Sequence, residues 1–111
     1  MQPKFNLWLE NEVEDVTLST WRVALLKAVA ATGSISAAAD EMKVQYRTAW
    51  QKINEMETRL DQKLVETQIG GVHGGGARLT AAADEYIRKF DRFNSEIEKA
   101  VLTKYRETFG R

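Results

Sequence analysis

The run SISAAADEMKVQYRTAWQKINEMETRL, residues 34–60, constrains the fold more than any other stretch. It reads as a short helix, a tight connector and a longer amphipathic helix. Ser34 or Ser36 can cap the first helix, whose alanines permit close packing. Lys43 and Val44 form the connector. From Gln45 the helical period resumes, with Tyr46, Ala49, Trp50, Ile53, Met56 and Leu60 stepping by three and four. Arg47, Gln51, Lys52, Asn54 and Glu55 then lie away from that stripe. A short helix, tight turn and amphipathic helix make the helix-turn-helix layout, in which the second helix enters a DNA major groove.

A groove-reading helix needs an apolar back and a polar front near its N-terminus. Ala49, Trp50, Ile53 and Met56 supply the back. Gln45, Tyr46, Arg47, Thr48 and Gln51 supply the front. Arginine can bind guanine edges bidentately and glutamine adenine edges, while threonine suits a phosphate oxygen or a thymine methyl. Lys52, further along, suits a phosphate. For an isolated amphipathic helix, Arg47 and Lys52 would merely solvate an exposed face, but the preceding helix and turn outweigh that reading. Trp50 is expected in the core, and Tyr46 fits either the core edge or the reading face. Lys43 stands where such turns favour glycine, and a left-handed non-glycine there costs roughly 1 kcal/mol.

Upstream, FNLWLE alternates Phe5, Leu7 and Leu9 with Asn6, Trp8 and Glu10, as a half-buried strand does. ENEVED supplies a turn and VTL a short returning strand, so residues 4–18 are expected to hold the N-terminal strands. From Thr20 the period is helical through Trp21, Leu25, Ala28, Val29 and Thr32. Ser19 or Thr20 can cap it, and Gly33 sits at the left-handed C-terminal position. The helix-turn-helix unit thus occupies 20–61. LVETQI and ARL, on either side of a glycine segment, make a strand-loop-strand wing over 64–79. Thr80 then caps a long helix over 80–107, with Asp84 and Glu85 where the helix dipole favours acids. Along it Ala83, Tyr86, Phe90, Phe93, Ile97 and Ala100 form a seam that Ile87 and Val101 widen. Its outer part would face water unless a partner helix covers it. A homodimer with an interface at Tyr86, Phe90, Phe93, Ile97 and Val101 is therefore expected, with the N-terminal strands free to join it.

The wing contains the segment TQIGGVHGGGARLT, with five glycines between residues 70 and 76 and the chain's single histidine, His73. HGGG matches the oxyanion-hole letters of lipase-like hydrolases, but no G-x-S-x-G elbow or second histidine accompanies it. A phosphate-binding loop would end in GK[ST], and this one does not. No nucleophile–base pair can be named, so no enzyme is expected. One histidine without cysteine partners is a poor metal site, and neither metal nor cofactor is expected. The glycines instead let a ribbon turn tightly and bring backbone N–H groups near DNA. His73, Gly74, Gly75 and Arg78 would clamp the DNA flank.

A chain of 111 residues with 43% hydrophobic content fits a single globular domain. It has no cysteine, no apolar signal core and no eighteen-residue apolar run, so a cytoplasmic domain away from membranes is expected. Sixteen basic and sixteen acidic residues cancel, which argues against an indiscriminate polyanion binder. Placement matters more than the total. Glu10, Glu12, Glu14 and Asp15 make one end acidic, whereas residues 43–52 hold three basic residues and no acid.

The segments TGSISAAA, YRTAW and GG-x2-GGGA-x-LT resemble the N-terminal DNA-binding domain of the molybdate-responsive ModE transcriptional regulators. The first half is similar, more distantly, to the LysR-type helix-turn-helix. The likeness spans most of the chain. It implies a winged helix, mainly α with small β, that dimerises with help from its long helix. It also implies operator binding by Tyr46, Arg47, Thr48 and neighbours, with the wing reaching the backbone or minor groove beside them. Ser34 and Ser36 at the preceding helix are further candidate DNA contacts. The family continues into a pair of oxyanion-binding domains, but this sequence stops at Arg111, so molybdate sensing is not carried over and no oxyanion is expected. The reading is a dimeric regulator of transcription that binds double-stranded DNA. The alternative is a winged-helix module that binds a protein partner, which the zero net charge leaves open.

Overall fold

A computed structural model describes residues 1–68 and 76–110. The architecture is mainly α with two small β-ribbons, a winged helix-turn-helix. Strands β1 (Trp8–Glu10) and β2 (Val16–Ser19) pair antiparallel, with an irregularity between Leu9 and Glu10. Their turn is held by Asn11, whose Oδ1 accepts the N–H groups of Val13 and Asp15, both at 3.0 Å. The first strand is shorter than the alternation predicts. Trp8 pairs with Ser19, the last residue of β2, and Ser19 already caps the next helix. With no partner left, Phe5 lies outside the ladder.

Helix α1 (Thr20–Thr32) begins where the Ser19 hydroxyl accepts the Arg22 N–H and ends at Gly33, whose φ of 79° suits glycine. It is the central post of the domain, contacting α2, α3, α4 and β4. That explains why its burial is wider than the single predicted stripe. Val23 and Leu26 are buried along with Leu25, Ala28 and Val29. Helix α2 (Ile35–Glu41) starts at Ser34, whose Oγ accepts the Ala37 N–H at 2.9 Å. Ala38 and Ala39 are fully buried and let it lie close to its neighbours. At the turn Lys43 takes a φ of 59°, and the Val44 N–H closes onto the Ala39 carbonyl at 3.0 Å.

Helix α3 (Tyr46–Leu60) buries Ala49, Ile53 and Met56, with Leu60 half-buried. Strands β3 (Val65–Gln68) and β4 (Gly76–Leu79) pair antiparallel from Val65–Leu79 to Gln68–Gly76, forming the described base of the wing. β4 docks on the α1–α2 junction, where the Ala77 N–H donates to the Gly33 carbonyl at 2.8 Å. A Cβ on Gly76 would stand 3.3 Å from that same oxygen, so the approach favours glycine. Thr80 ties wing to helix. Its hydroxyl donates to the Lys63 carbonyl at 2.7 Å and accepts the Ala83 N–H, which opens helix α4 (Ala81–Phe109).

A 29-residue helix is about 43 Å long, more than either shorter dimension of the molecule, 29 and 23 Å. Only its first half reaches the core. Ala83 and Phe90 are buried there, and Lys27 of α1 meets Asp91 at 2.8 Å. Phe90, predicted as part of the dimer seam, is 4% exposed and belongs to the core of its own domain. Beyond it Phe93, Leu102 and Phe109 are exposed. The chain's first five residues lie against this outer half: the Tyr105 hydroxyl donates to the Met1 carbonyl at 3.0 Å, and Pro3 and Phe5 border a cleft of about 500 Å³ with Val101 and Leu102. No described helix is long and apolar enough to cross a membrane.

Candidate nucleic-acid interface

Helix α3 is fixed from two sides. On the α1 side, the Arg22 guanidinium is nearly buried and donates to Glu55 Oε1 at 2.9 Å and to the Lys52 carbonyl at 3.4 Å. Arg59 and Lys52 approach the same carboxylate at 3.6 and 3.7 Å. The Arg22 hydrogen bond, with the three cations behind it and against the opposing effect of burial, holds the Glu55 carboxyl below its ordinary value. On the wing side, Glu57 Oε2 accepts the N–H groups of Leu64 and Val65 at 2.8 and 3.1 Å. These bonds clamp Leu64 and the first residue of β3 to α3. Helix and wing base are thereby held as one unit.

The outward line of α3 is Arg47 and Gln51, both exposed, and Asn54, half-buried. Arg47 makes no ion pair and Gln51 no side-chain hydrogen bond among the described residues. Tyr46 is 54% exposed, and Gln45 is an exposed N-cap residue without a capping bond. Thr48 is half-buried on the α1 flank. No acid occupies the first turn, so the positive end of the helix dipole is uncompensated there. These groups make a polar, acid-free front of the type a phosphate backbone and base edges require.

Other predicted contacts are already engaged. Lys52 is half-buried beside Glu55, and Arg78 faces Glu66 across the wing ladder at 3.2 Å. The Arg78 pair is exposed, and such pairs contribute about 0–1 kcal/mol, little enough to be exchanged for another anion. The Ser34 hydroxyl is the α2 cap, while Ser36 is exposed on the first turn of α2. His73, Gly74 and Gly75 lie outside the described residues.

Trp50 overturns its expectation. It is 49% exposed and not a core residue. On a helix of 3.6 residues per turn the buried line runs through Ala49, Ile53, Met56 and Leu60, and Trp50 stands on the shoulder of that line. The apolar count along the sequence included it. The small Ala49 beside it is the fully buried residue. Sequence reasoning also missed Arg22, Glu55 and Glu57 as the groups that aim α3. Their only sequence signal is a charged residue on a face that helical periodicity assigns to solvent.

The lysR family of bacterial regulatory helix-turn-helix proteins matches residues 21–84, more than half of the chain. The transcriptional regulator ModE of Yersinia pestis is 42% identical over 82 residues, covering 74% of this chain and 31% of that protein. The DNA-binding transcriptional dual regulator ModE of Escherichia coli K12 is 40% identical over 79 residues, covering 71% and 30%. The chain thus spans about a third of the length of these curated relatives. Among solved structures, the CbnR DBD–DNA complex shares the fold with a TM-score of 0.58 at 22% identity, over 81% of this chain and 95% of that one. ArgP from Mycobacterium tuberculosis matches with a TM-score of 0.53 at 27% identity, over 78% and 30%. The chain belongs to the lysR family of bacterial regulatory helix-turn-helix proteins, and its sequence in that region is ModE-like.

Proposed function

We propose that this chain binds specific double-stranded DNA as a homodimer and regulates transcription. The observation that carries the reading is the front of α3: Gln45, Tyr46, Arg47 and Gln51 are exposed on a helix braced by Arg22–Glu55 and by the wing base. In the proposed complex α3 lies in the major groove, with Arg47 on a guanine edge and Gln51 on an adenine edge. Thr48 and Lys52 take phosphates on the α1 side, Lys52 by exchanging Glu55 for a stronger anion. Arg78 does the same from the wing, leaving Glu66. The similarity to regulators named as DNA-binding supports this assignment.

Dimerisation has its own support. Phe93 is 46% exposed, and Ile97 and Val101 continue its line along the half of α4 that leaves the domain. Apolar area on a projecting helix is stabilised by a second copy, at roughly 25 cal/mol per Å² removed from water. A two-fold pair would present two reading helices to half-sites about 34–36 Å apart. The test is selection of bound fragments from genomic DNA. Enrichment of a site with two-fold symmetry is the expected result. Failure to enrich any sequence would overturn the reading in favour of a protein-binding module.

A further inference from the structure

We infer that Trp50 is a specificity residue that packs its indole against a thymine methyl group, an inference that rests on the DNA-binding reading above. The chain's three tryptophans have different fates. Trp21 packs against the core, and Trp8, although exposed, donates its Nε1–H to Glu10 at 2.8 Å. Trp50 is half exposed, and among the described residues its indole N–H makes no hydrogen bond and its ring stacks on no aromatic neighbour. The core line beside it is complete, since Ala49, Ile53 and Met56 are at most 4% exposed. Trp50 is not among the half-buried side chains that pack against that core.

Trp50 is the i+3 neighbour of Arg47 and the i+4 neighbour of Tyr46, so it borders the outward line of the reading helix. It lies on the shoulder shared with Glu57, toward the wing base that Glu57 holds. An indole cannot match the paired donors and acceptors of a base edge as arginine or glutamine does. Stacked bases in a duplex also offer it no open π-face. The one apolar group that a base pair shows in the major groove is the C5 methyl of thymine. Trp50 stands about 4.5 Å along the helix axis from Arg47, against about 3.4 Å per base step, so that thymine lies one or two steps from the base Arg47 reads.

The test uses a duplex site selected by the wild-type protein from a randomised pool. Each thymine is replaced in turn by deoxyuridine, which removes the methyl and leaves the hydrogen-bonding edge intact. Wild type, Trp50→Ala and Trp50→Phe are titrated by fluorescence anisotropy. At one thymine or more, methyl removal should weaken wild-type binding by about four-fold, the effect of one buried methyl-sized group. Trp50→Ala should be indifferent to the same change, with Trp50→Phe between. If no thymine methyl matters more with Trp50 than without it, the inference is wrong and Trp50 acts only through packing. Should Trp50→Ala not fold, Trp50→Gln takes its place with the same expected indifference. If the pool yields no site at all, the DNA-binding reading falls, and this inference with it.

Discussion

Replacing Glu55 with glutamine tests how α3 is held. The side chains of Arg22 and Glu55 are 10% and 23% exposed, so neither charge is well screened by water. Glutamine keeps an oxygen for the Arg22 guanidinium but removes the charge facing Arg22, Arg59 and Lys52. Exchanging a charge-assisted bond for a neutral one at such a site costs about 1–2 kcal/mol, or roughly 4–8 °C in Tm for a domain of this size. The loss should depend on pH. Because the Glu55 pKa is lowered in the folded protein, its contribution is fully present above the ordinary value of 4.5 and is lost as pH falls through the depressed folded-state value. Urea unfolding followed by circular dichroism should therefore show a wild-type advantage near neutral pH that closes below pH 4.5. A gap that stays constant over this window would refute the charge argument, and a variant as stable as wild type at neutral pH would refute the brace itself.

The opposite anchor gives a second expectation. Glu57→Ala leaves the N–H groups of Leu64 and Val65, both in buried residues, without their acceptor, and should cost roughly 2–3 kcal/mol in the same unfolding assay. A loss of a few tenths would mean water replaces the carboxylate freely. On the outer half of α4, Phe93→Asp should convert a dimer into a folded monomer in sedimentation velocity, because Phe93 is exposed in the single chain. An unchanged sedimentation coefficient at equal concentration, or a monomeric wild type at micromolar concentration, would count against α4 as the interface.

The elements were legible in the sequence where local chemistry decides them. Ser19, Ser34 and Thr80 each accept an N–H from the first turn of a helix, and Gly33 takes the left-handed conformation that closes α1. Lys43 adopts the positive φ that its place in the turn demands. What the sequence concealed is set by packing between segments distant along the chain. Helical periodicity counts apolar residues but cannot see that Ala38, Ala39 and Ala49 are buried while Trp50 is left on a shoulder. Nor does it show that Arg22 is placed on Glu55, 33 residues away, or that Phe90 turns inward while Phe93 turns outward. The chain's first residues, lying along α4 with Met1 beside Tyr105, join the two extremes of the sequence, and no local pattern reports that.

The central claim is that α3 reads base sequence, and Arg47 tests it most directly. Binding of wild type and Arg47→Ala should be measured on the selected site and on a random duplex at one salt concentration. A base-reading arginine predicts a loss of about 1–3 kcal/mol on the selected site and little on random DNA. Equal losses on both duplexes would reduce Arg47 to a phosphate contact. No loss on either would contradict the placement of α3 in the groove.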